Sequence, residues 1–261
     1  MAKSAPRNLV VASSERLTPN MQRIVLTGDD LIGFPDGQES GYIKLLFPDA
    51  PGSTDKKTVM RTYTIRAFDS AENLLTVDFA LHDATEGPAS AWAKAASPGD
   101  RLIIGGPGPT KLVSNEGDWV FLVGDMTALP ALACNLEQLP RHAKGHALIE
   151  IIDEEDRQQI DAPEGVEVHW FVNPDYHATL GSLADEAQRL PWLGGEAAGW
   201  CACEFHSMKA LRSYLRDERG IDKTRLYVSS YWKIGRSEDE HKVDKRNDQV
   251  TDEKALSLAK V

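Results

Sequence analysis

The chain has little cysteine. Three residues in 261 are too few for a disulfide framework. It has no run of eighteen apolar residues, which excludes a transmembrane helix. Met1 to Asn8 contains no apolar stretch of the kind a secretory leader needs. These absences point to a cytoplasmic protein with reduced thiols. Positive charge is also short: 29 Lys and Arg against 40 Asp and Glu give a formal net charge of −11. Nucleic acid and anionic membrane are therefore poor partners, because phosphate contacts need clustered cations, although a local basic pocket is compatible with the total. Common catalytic signatures are missing as well: there is no G-x-x-x-x-G-K-[ST], no H-E-x-x-H and no G-x-S-x-G. Gly106-Pro-Gly108 lacks the third glycine of the dinucleotide fingerprint. Cys201 and Cys203 would share one face of a strand, but no second ligand pair accompanies them. They read as buried core, and no metal site is expected.

Hydrophobic residues make up 41% of the chain and charged residues 26%, a globular composition. At roughly 150 residues per domain the length suggests two domains. In the first half, Leu75, Val77, Phe79 and Leu81 alternate with Thr76, Asp78 and Ala80, the period of a half-buried strand. Met21 to Thr27, Tyr42 to Phe47, Arg61 to Phe68 and Arg101 to Gly105 read as further strands, separated by Gly, Pro and Asp turns. One helix, Pro88 to Ala96, interrupts them, with proline in its first turn and Ser97-Pro-Gly99 at its end. The pattern predicts an antiparallel barrel or sandwich.

The second half changes period. Strand-type runs at Trp119 to Val123, Ala147 to Ile152, Val166 to Val172, Ala198 to Cys203 and Leu226 to Ser229 alternate with helical stretches. Those stretches are Ala128 to Leu139, Leu180 to Leu190 and Phe205 to Arg219. This alternation predicts an α/β unit with a mainly parallel sheet. The polar segment Ser114 to Asp118 marks the boundary, giving a β domain over 1–114, an α/β domain over 115–235 and a charged tail over 236–261. The tail reads as either a solvated helix or a lid. Two unlike domains in series place a ligand in the cleft between them.

Four segments carry chemistry. In Arg61-Thr-Tyr-Thr64, Arg61 and Tyr63 share a strand face, where an Arg can hold a phosphate and a Tyr can stack on a flat ring. Glu86-Gly-Pro-Ala-Ser-Ala-Trp92 puts a glycine before a helix start, whose free N–H groups and dipole favour an anion. Val123-Gly-Asp-Met-Thr-Ala-Leu-Pro130 is a strand, turn and helix start at the carboxyl end of a parallel strand, where ligands bind in such sheets. Asp125 or Thr127 reads equally well there as a helix cap. Ser229-Ser-Tyr-Trp-Lys-Ile-Gly-Arg236 sets two aromatics beside two cations.

In this order and spacing the segments resemble the siderophore-interacting protein family, flavin-dependent ferric-siderophore reductases of the ferredoxin reductase-like superfamily. The resemblance runs from about Arg7 to Arg236. It rests on Arg61 to Arg66, His82 to Ala93, Pro98 to Asp100 with Gly105 to Gly108, Gly124 to Pro130, and Tyr231-Trp232 with Gly235-Arg236. It implies an FAD-binding antiparallel barrel followed by an NAD(P)H-binding α/β domain. By resemblance, Arg61 pairs with FAD phosphate, Tyr63 packs on the isoalloxazine and Thr64 lies near its N5 edge. His82 and Trp92 lie near the cofactor. Gly87, Ala89 and Ser90 cradle the pyrophosphate, and Tyr231 and Trp232 close the flavin site. Gly124, Asp125, Thr127 and Glu204 fall near the nicotinamide. Three positions depart from the family pattern: Met126 stands for Glu, and Cys203 and Ser230 stand for Gly.

The implied activity is reduction of a ferric siderophore. Ferric iron is small and hard, and oxygen chelators hold it tightly; a one-electron reduction weakens that ligation. A nicotinamide delivers two electrons together, so a flavin is the needed adapter. No side-chain nucleophile is required, and Asp125 and His82 are expected at most to tune or relay protons. Ferric siderophores are often anionic, and Lys233, Arg236, Lys242, Lys245 and Arg246 are the local cations for docking one. Their charge is offset in sequence by Glu238, Asp239, Glu240 and Asp244. The acidic run Asp153-Glu-Glu-Asp156 follows the second parallel strand and favours NADH over NADPH, with Arg157 working against it. A monomer is expected. Two other readings stand beside this one: a general flavin or ferric-chelate reductase, and a flavin-free protein that only captures siderophores.

Overall fold

A computed structural model of the chain describes residues 5–47, 58–81 and 87–258. Seven strands form an antiparallel sheet: β1 (Arg7–Thr18), β2 (Met21–Thr27), β3 (Tyr42–Phe47), β4 (Val59–Thr64), β5 (Ala67–Asp69), β6 (Leu74–Ala80) and β7 (Arg101–Gly108). Their order is β4-β3-β7-β1-β2-β6-β5. β4 and β5 stand at opposite ends of that order, yet only Ile65 and Arg66 join them. The sheet therefore curls back on itself as a barrel, with the Arg66 N–H donating to the Thr76 carbonyl at 3.0 Å near the closure. Leu9, Ile24, Ile43, Leu45, Phe79 and Ile104 fill the interior, and α1 (Pro88–Ala95) adds Ala89 and Ala93.

Five strands form a second, wholly parallel sheet: β8 (Trp119–Gly124), β9 (Lys144–Ile151), β10 (Gly165–Val172), β11 (Ala197–Glu204) and β12 (Leu226–Trp232). The order β10-β9-β8-β11-β12 puts β8 at the centre. β8 and β11 are buried along their whole length, as strands covered on both faces must be. On one face lies α2 (Leu129–Gln138), packed on Leu122, Ile149 and Trp200. On the other lie α3 (Ser182–Arg189) and α4 (Phe205–Arg212), packed on Trp119, Phe121 and Cys201. The thiols of Cys201 and Cys203 are buried core groups 3.9 Å apart. No helix among the described residues is long and apolar enough to cross a membrane.

The architecture is that expected, a barrel followed by an α/β unit, with one strand added and several boundaries moved. Arg61 to Phe68 is two strands, because Ile65 turns inward and pairs with the Ser40–Gly41 backbone while the chain crosses the sheet. The twelve residues of β1 escape the alternation rule, since Ser13, Ser14, Glu15 and Arg16 carry little apolar signal. β12 extends to Trp232, so Tyr231 and Trp232 stand on a strand rather than in a loop. α4 ends in a π-helical turn, Ser213–Glu218, and the charged tail forms α5 (Glu238–Leu258).

The two sheets are joined by buried polar groups. Asp156 is 0% exposed. Its carboxylate accepts from Thr18 Oγ1 at 2.7 Å, the Asn20 backbone at 2.9 Å and Asn20 Nδ2 at 2.8 Å, all at the β1–β2 turn. The Lys111 carbonyl, between the sheets in sequence, accepts from Ser40 Oγ, Asn135 Nδ2 and Trp200 Nε1. Arg66 pairs with Glu137 of α2. Replacing Asp156 by Ala strands the buried Thr18 hydroxyl and three part-buried donors, two of Asn20 and the Asp153 N–H, so Asp156→Ala is expected to cost about 3 kcal/mol, and Asp156→Asn less. Urea unfolding of the three proteins measures this; equal midpoints would contradict the role of Asp156 as the tie between the sheets.

Candidate functional site

A cleft of about 920 Å³ opens where the carboxyl ends of the parallel strands meet the barrel. That size lies at the upper end of ordinary ligand sites. On the barrel side it is lined by Arg61, Tyr63 and Thr64 of β4 and by Gly87, Ala89 and Ser90 at the start of α1. Period-two alternation puts Arg61 and Tyr63 on the inward face, and the Tyr63 ring rests on Phe79 at 4.4 Å. Burial raises the Tyr63 pKa, so its hydroxyl stays protonated. Among the described residues Arg61 makes no ion pair; its Nη1 donates to the Met60 carbonyl at 2.9 Å. Gly87 at the N-cap of α1 has no side chain with which to cap it, and the first turn, with its N–H dipoles, borders the cleft. Tyr42 adds another ring, and only glycine at 108 permits it: a Cβ there would fall 2.1 Å from the ring.

The α/β side is organised by Asp125. The βα turn after β8 buries its carboxylate, which accepts five hydrogen bonds. Oδ1 takes the Thr127 N–H at 2.9 Å, the Thr127 hydroxyl at 2.6 Å and the Ala128 N–H at 3.3 Å. Oδ2 takes the Glu204 N–H and Trp232 Nε1, each at 2.8 Å. Burial raises the Asp125 pKa, and these donors pull against that rise. Thr127, Tyr231 and Trp232 line the cleft beside it, with Tyr176 and His177 edge-on to the Trp232 ring. At the end of β9, Glu150 accepts from Asn173 Nδ2 at 2.7 Å. Burial first, then the nearby Asp125 and Glu204 carboxylates, push the Glu150 pKa to about 7.

Cations gather at the mouth of the cleft. Lys233, Arg236, Lys242 and Lys245 line it. Three of them are already neutralised: Lys233 and Arg236 by Asp244 at 2.7 and 3.3 Å, and Lys242 by Glu238 and Asp239 at 3.1 and 3.3 Å. Lys245 instead donates to Ser229 Oγ and the Ser230 carbonyl. Desolvation, then Lys111 and Lys44, lower its pKa, so the three ammonium groups repel one another across the mouth. Neither Lys111 nor Lys245 has an acidic partner among the described residues. The sequence pattern missed Lys44 and Lys111. Lys44 sits unremarked in β3, and Lys111 lines the cleft with its carbonyl pinned between the sheets and its Nζ over the Tyr227 ring. α5 crosses this edge as a strap. Glu238 accepts from the Thr62 backbone and hydroxyl and pairs with Lys44, and His241 meets Ser230 Oγ at 2.8 Å. Farther along, Asp248 and Asp252 pair with Arg212 and Arg216.

Four residues expected at the site do not line the cleft. Trp92 packs in the barrel against Phe47 and Phe79. Gly124 lets the βα turn close tightly, since a Cβ would press on Ala128 and Leu132 at 3.2 Å. Glu204 caps α4 through the His206 and Ser207 N–H groups. Arg246 is exposed and does not line the cleft. His82 lies outside the described residues. The acidic run after β9 is also partly committed: Asp153 and Asp156 form a reciprocal cap, and Asp156 ties the sheets. The three departures from the family pattern are accommodated: Met126 and Cys203 are buried, and Ser230 anchors α5.

Comparisons with known proteins bear on this arrangement. The family model for siderophore-interacting proteins matches residues 117–235, and that for the siderophore-interacting FAD-binding domain matches 10–55 and 51–111. The ferric vibriobactin reductase ViuB of Vibrio cholerae is 33% identical over 250 residues, 90% of this chain and 92% of that protein. The NADPH-dependent ferric-chelate reductase of Escherichia coli is 30% identical over 243 residues, 87% of this chain and 92% of that protein. The crystal structure of the siderophore-interacting protein SipS from Aeromonas hydrophila matches with a TM-score of 0.82 and 33% identity, over 94% of this chain and 98% of that one. The ferredoxin-NADP+ reductase of Plasmodium falciparum, 13% identical, shares the fold with a TM-score of 0.60 over 87% of this chain and 96% of that one.

The raised Glu150 pKa fixes a pH dependence. The folded chain keeps a proton that the unfolded chain releases above the usual glutamate range. The contribution to stability is therefore full below about pH 4.5 and is lost as pH rises through about 7. Its size is about 3 kcal/mol at most. Glu150→Gln keeps the acceptor for Asn173 and removes the titration, so it should raise the urea midpoint at pH 8 and leave it nearly unchanged at pH 4. A variant with the same offset from wild type at both pH values would contradict the assignment.

Proposed function

The chain belongs to the siderophore-interacting protein family, and from that premise we propose that its cleft holds FAD and passes electrons from a nicotinamide nucleotide to a ferric siderophore. The observation that carries this reading is convergence. The helix start at Gly87 and an Arg61 with no carboxylate partner among the described residues meet the rings of Tyr42, Tyr63, Tyr231 and Trp232 in one cleft, with lysines at its mouth. FAD, when bound, supplies the conversion of a two-electron hydride donor into single-electron reduction. The residues suit it. Arg61 and the N–H groups at Ala89 and Ser90 bind a pyrophosphate, and Tyr63, Tyr231 and Trp232 flank a flat ring system. Asp125 works as a positioning residue: it orients the Trp232 indole and the βα turn, and structural donors occupy both its oxygens. The reaction needs no nucleophile from the chain. One hydride carries two electrons, so two ferric centres are reduced per nucleotide and one proton is released. Reduction weakens hard-oxygen ligation and frees ferrous iron.

The domain limits follow the same reading, with the flavin domain over 1–114, the nucleotide domain over 115–235 and the α5 tail over 236–261 as a strap on the substrate side. One chain builds the whole cleft, in keeping with a monomer, and three free buried thiols suit the cytoplasm. Ile152 lines the cleft and leads into Asp153, Glu154 and Glu155, whose charge disfavours a 2′-phosphate. NADH is therefore the expected donor, although the E. coli relative is named for NADPH. Equal specificity constants for the two nucleotides would contradict this preference.

An anaerobic visible spectrum tests the reaction. With FAD bound, NADH should bleach the flavin bands, and a ferric siderophore should restore them as a ferrous trap colours. Bleaching without recovery would assign the reductase to another acceptor. A protein that FAD cannot reconstitute would overturn the reading in favour of siderophore capture. For docking, the unpaired cations point to Lys111 and Lys245 rather than Lys233, Arg236 or Lys242. Lys111→Ala and Lys245→Ala are each expected to raise KM for an anionic ferric siderophore about tenfold at low salt, roughly the 1–2 kcal/mol of a charge-assisted contact, with flavin reduction by NADH unchanged. An unchanged KM would sink the docking role.

A further inference from the structure

At the other end of the parallel sheet, two histidines and a glutamate converge. Glu167 and His169 are two residues apart on β10, so their side chains leave the same face. The register sets His146 of β9 directly opposite Glu167, on that same face. Three donor atoms meet there. His146 Nδ1 lies 3.2 Å from His169 Nε2, and Glu167 Oε2 lies 3.6 Å from the first and 3.5 Å from the second. The two imidazole nitrogens can share one proton, but both carboxylate distances exceed those of a hydrogen bond to nitrogen. The three separations instead match the edges of a tetrahedron, about 3.4 Å for donors roughly 2.1 Å from a central ion.

The surroundings fix this geometry. His146 is 4% exposed and held edge-on by the Trp119 and Phe121 rings. Its other nitrogen, Nε2, is buried and makes no close hydrogen bond, and the Pro191 backbone offers the ring an acceptor. His169 is partly exposed and Glu167 largely so, which leaves a route for an ion and a fourth position open to water. The cluster is separate from the cleft. Glu150, which lines the cleft, follows His146 by four residues on β9, roughly 13 Å along the strand.

From this juxtaposition we infer that His146, Glu167 and His169 form a binding site for a divalent transition-metal ion of the zinc class. Two imidazoles and one carboxylate are a recurrent zinc donor set with a fourth position for water, whereas Mg²⁺ and Ca²⁺ require oxygen ligands throughout. The ion ties β10, the edge strand, to β9, so its first effect is on the stability of the sheet rather than on electron transfer.

The full-length protein loaded with FAD is titrated with ZnCl2 and followed by calorimetry and by thermal unfolding, beside His169→Ala, Glu167→Gln and an MgCl2 control. The expected result is saturable binding of one zinc per chain and a Tm that rises with zinc but not with magnesium. Zinc affinity should fall at least tenfold in His169→Ala and less in Glu167→Gln. Both substitutions lie on the exposed side of the cluster, and His146, the buried member, is left in place so that folding is preserved. Cobalt in place of zinc should give the visible absorption of a four-coordinate ion, lost in His169→Ala. No saturable binding, or equal zinc affinity in wild type and His169→Ala, would overturn the site and leave a histidine pair sharing a proton.

Discussion

The site depends on one buried carboxylate. Asp125 ends the central strand of the parallel sheet, and its two oxygens collect donors from the turn after β8, from the end of β11 and from the indole on β12. Three neighbouring strand ends are thereby held in one arrangement. Burying an ionised group is costly unless its hydrogen-bonding capacity is filled, and here five donors fill it. The same need explains why Thr127 follows Asp125 by two residues and why Trp232 faces inward. A cleft wall built this way is preorganised before any ligand arrives, so little binding energy is lost to ordering it.

A second constraint is charge. A chain of net −11 must still attract an anion, and it does so by distributing its acids unequally. Along α5 the carboxylates are spent on the helix's own attachment: Asp244 on Lys233, Asp248 on Arg212 and Asp252 on Arg216. Lys111 and Lys245 keep their charge available. Lys111 is positioned from the backbone, through a carbonyl that accepts from the barrel, from α2 and from β11 at once. The junction between the sheets thus also sets the substrate side of the cleft.

Local order was legible from sequence wherever it had a period. The alternation of Leu75, Val77 and Phe79 gave β6, and strand–helix alternation gave the parallel sheet. Arg61, Tyr63, Gly87, Asp125 and Trp232, each in a segment with a recognisable local geometry, line one cleft. What the local pattern does not show is decided by partners far away in sequence. Asp156 reads as part of a ribose-facing acidic run, yet its partners are Thr18 and Asn20, well over a hundred residues earlier. Glu204 and Gly124 carry further duties that their own segments do not announce, a helix cap and a packing requirement. Lys44 and Lys111 carry no local signal, and His146 and His169 lie on separate strands 23 residues apart. A pattern along one segment cannot show what the register of another brings beside it.

The most direct measurement of the account is the dissociation constant for FAD in Asp125→Asn against wild type, by flavin and tryptophan fluorescence. The amide keeps one acceptor and turns the other oxygen into a donor, which faces the Glu204 N–H and Trp232 Nε1 with like polarity. The account predicts a native fold by circular dichroism, altered Trp232 emission and FAD affinity weakened by about tenfold or more, roughly 1.4 kcal/mol. Unchanged affinity with unchanged emission would contradict it, and would mean that the cleft holds its shape without the carboxylate.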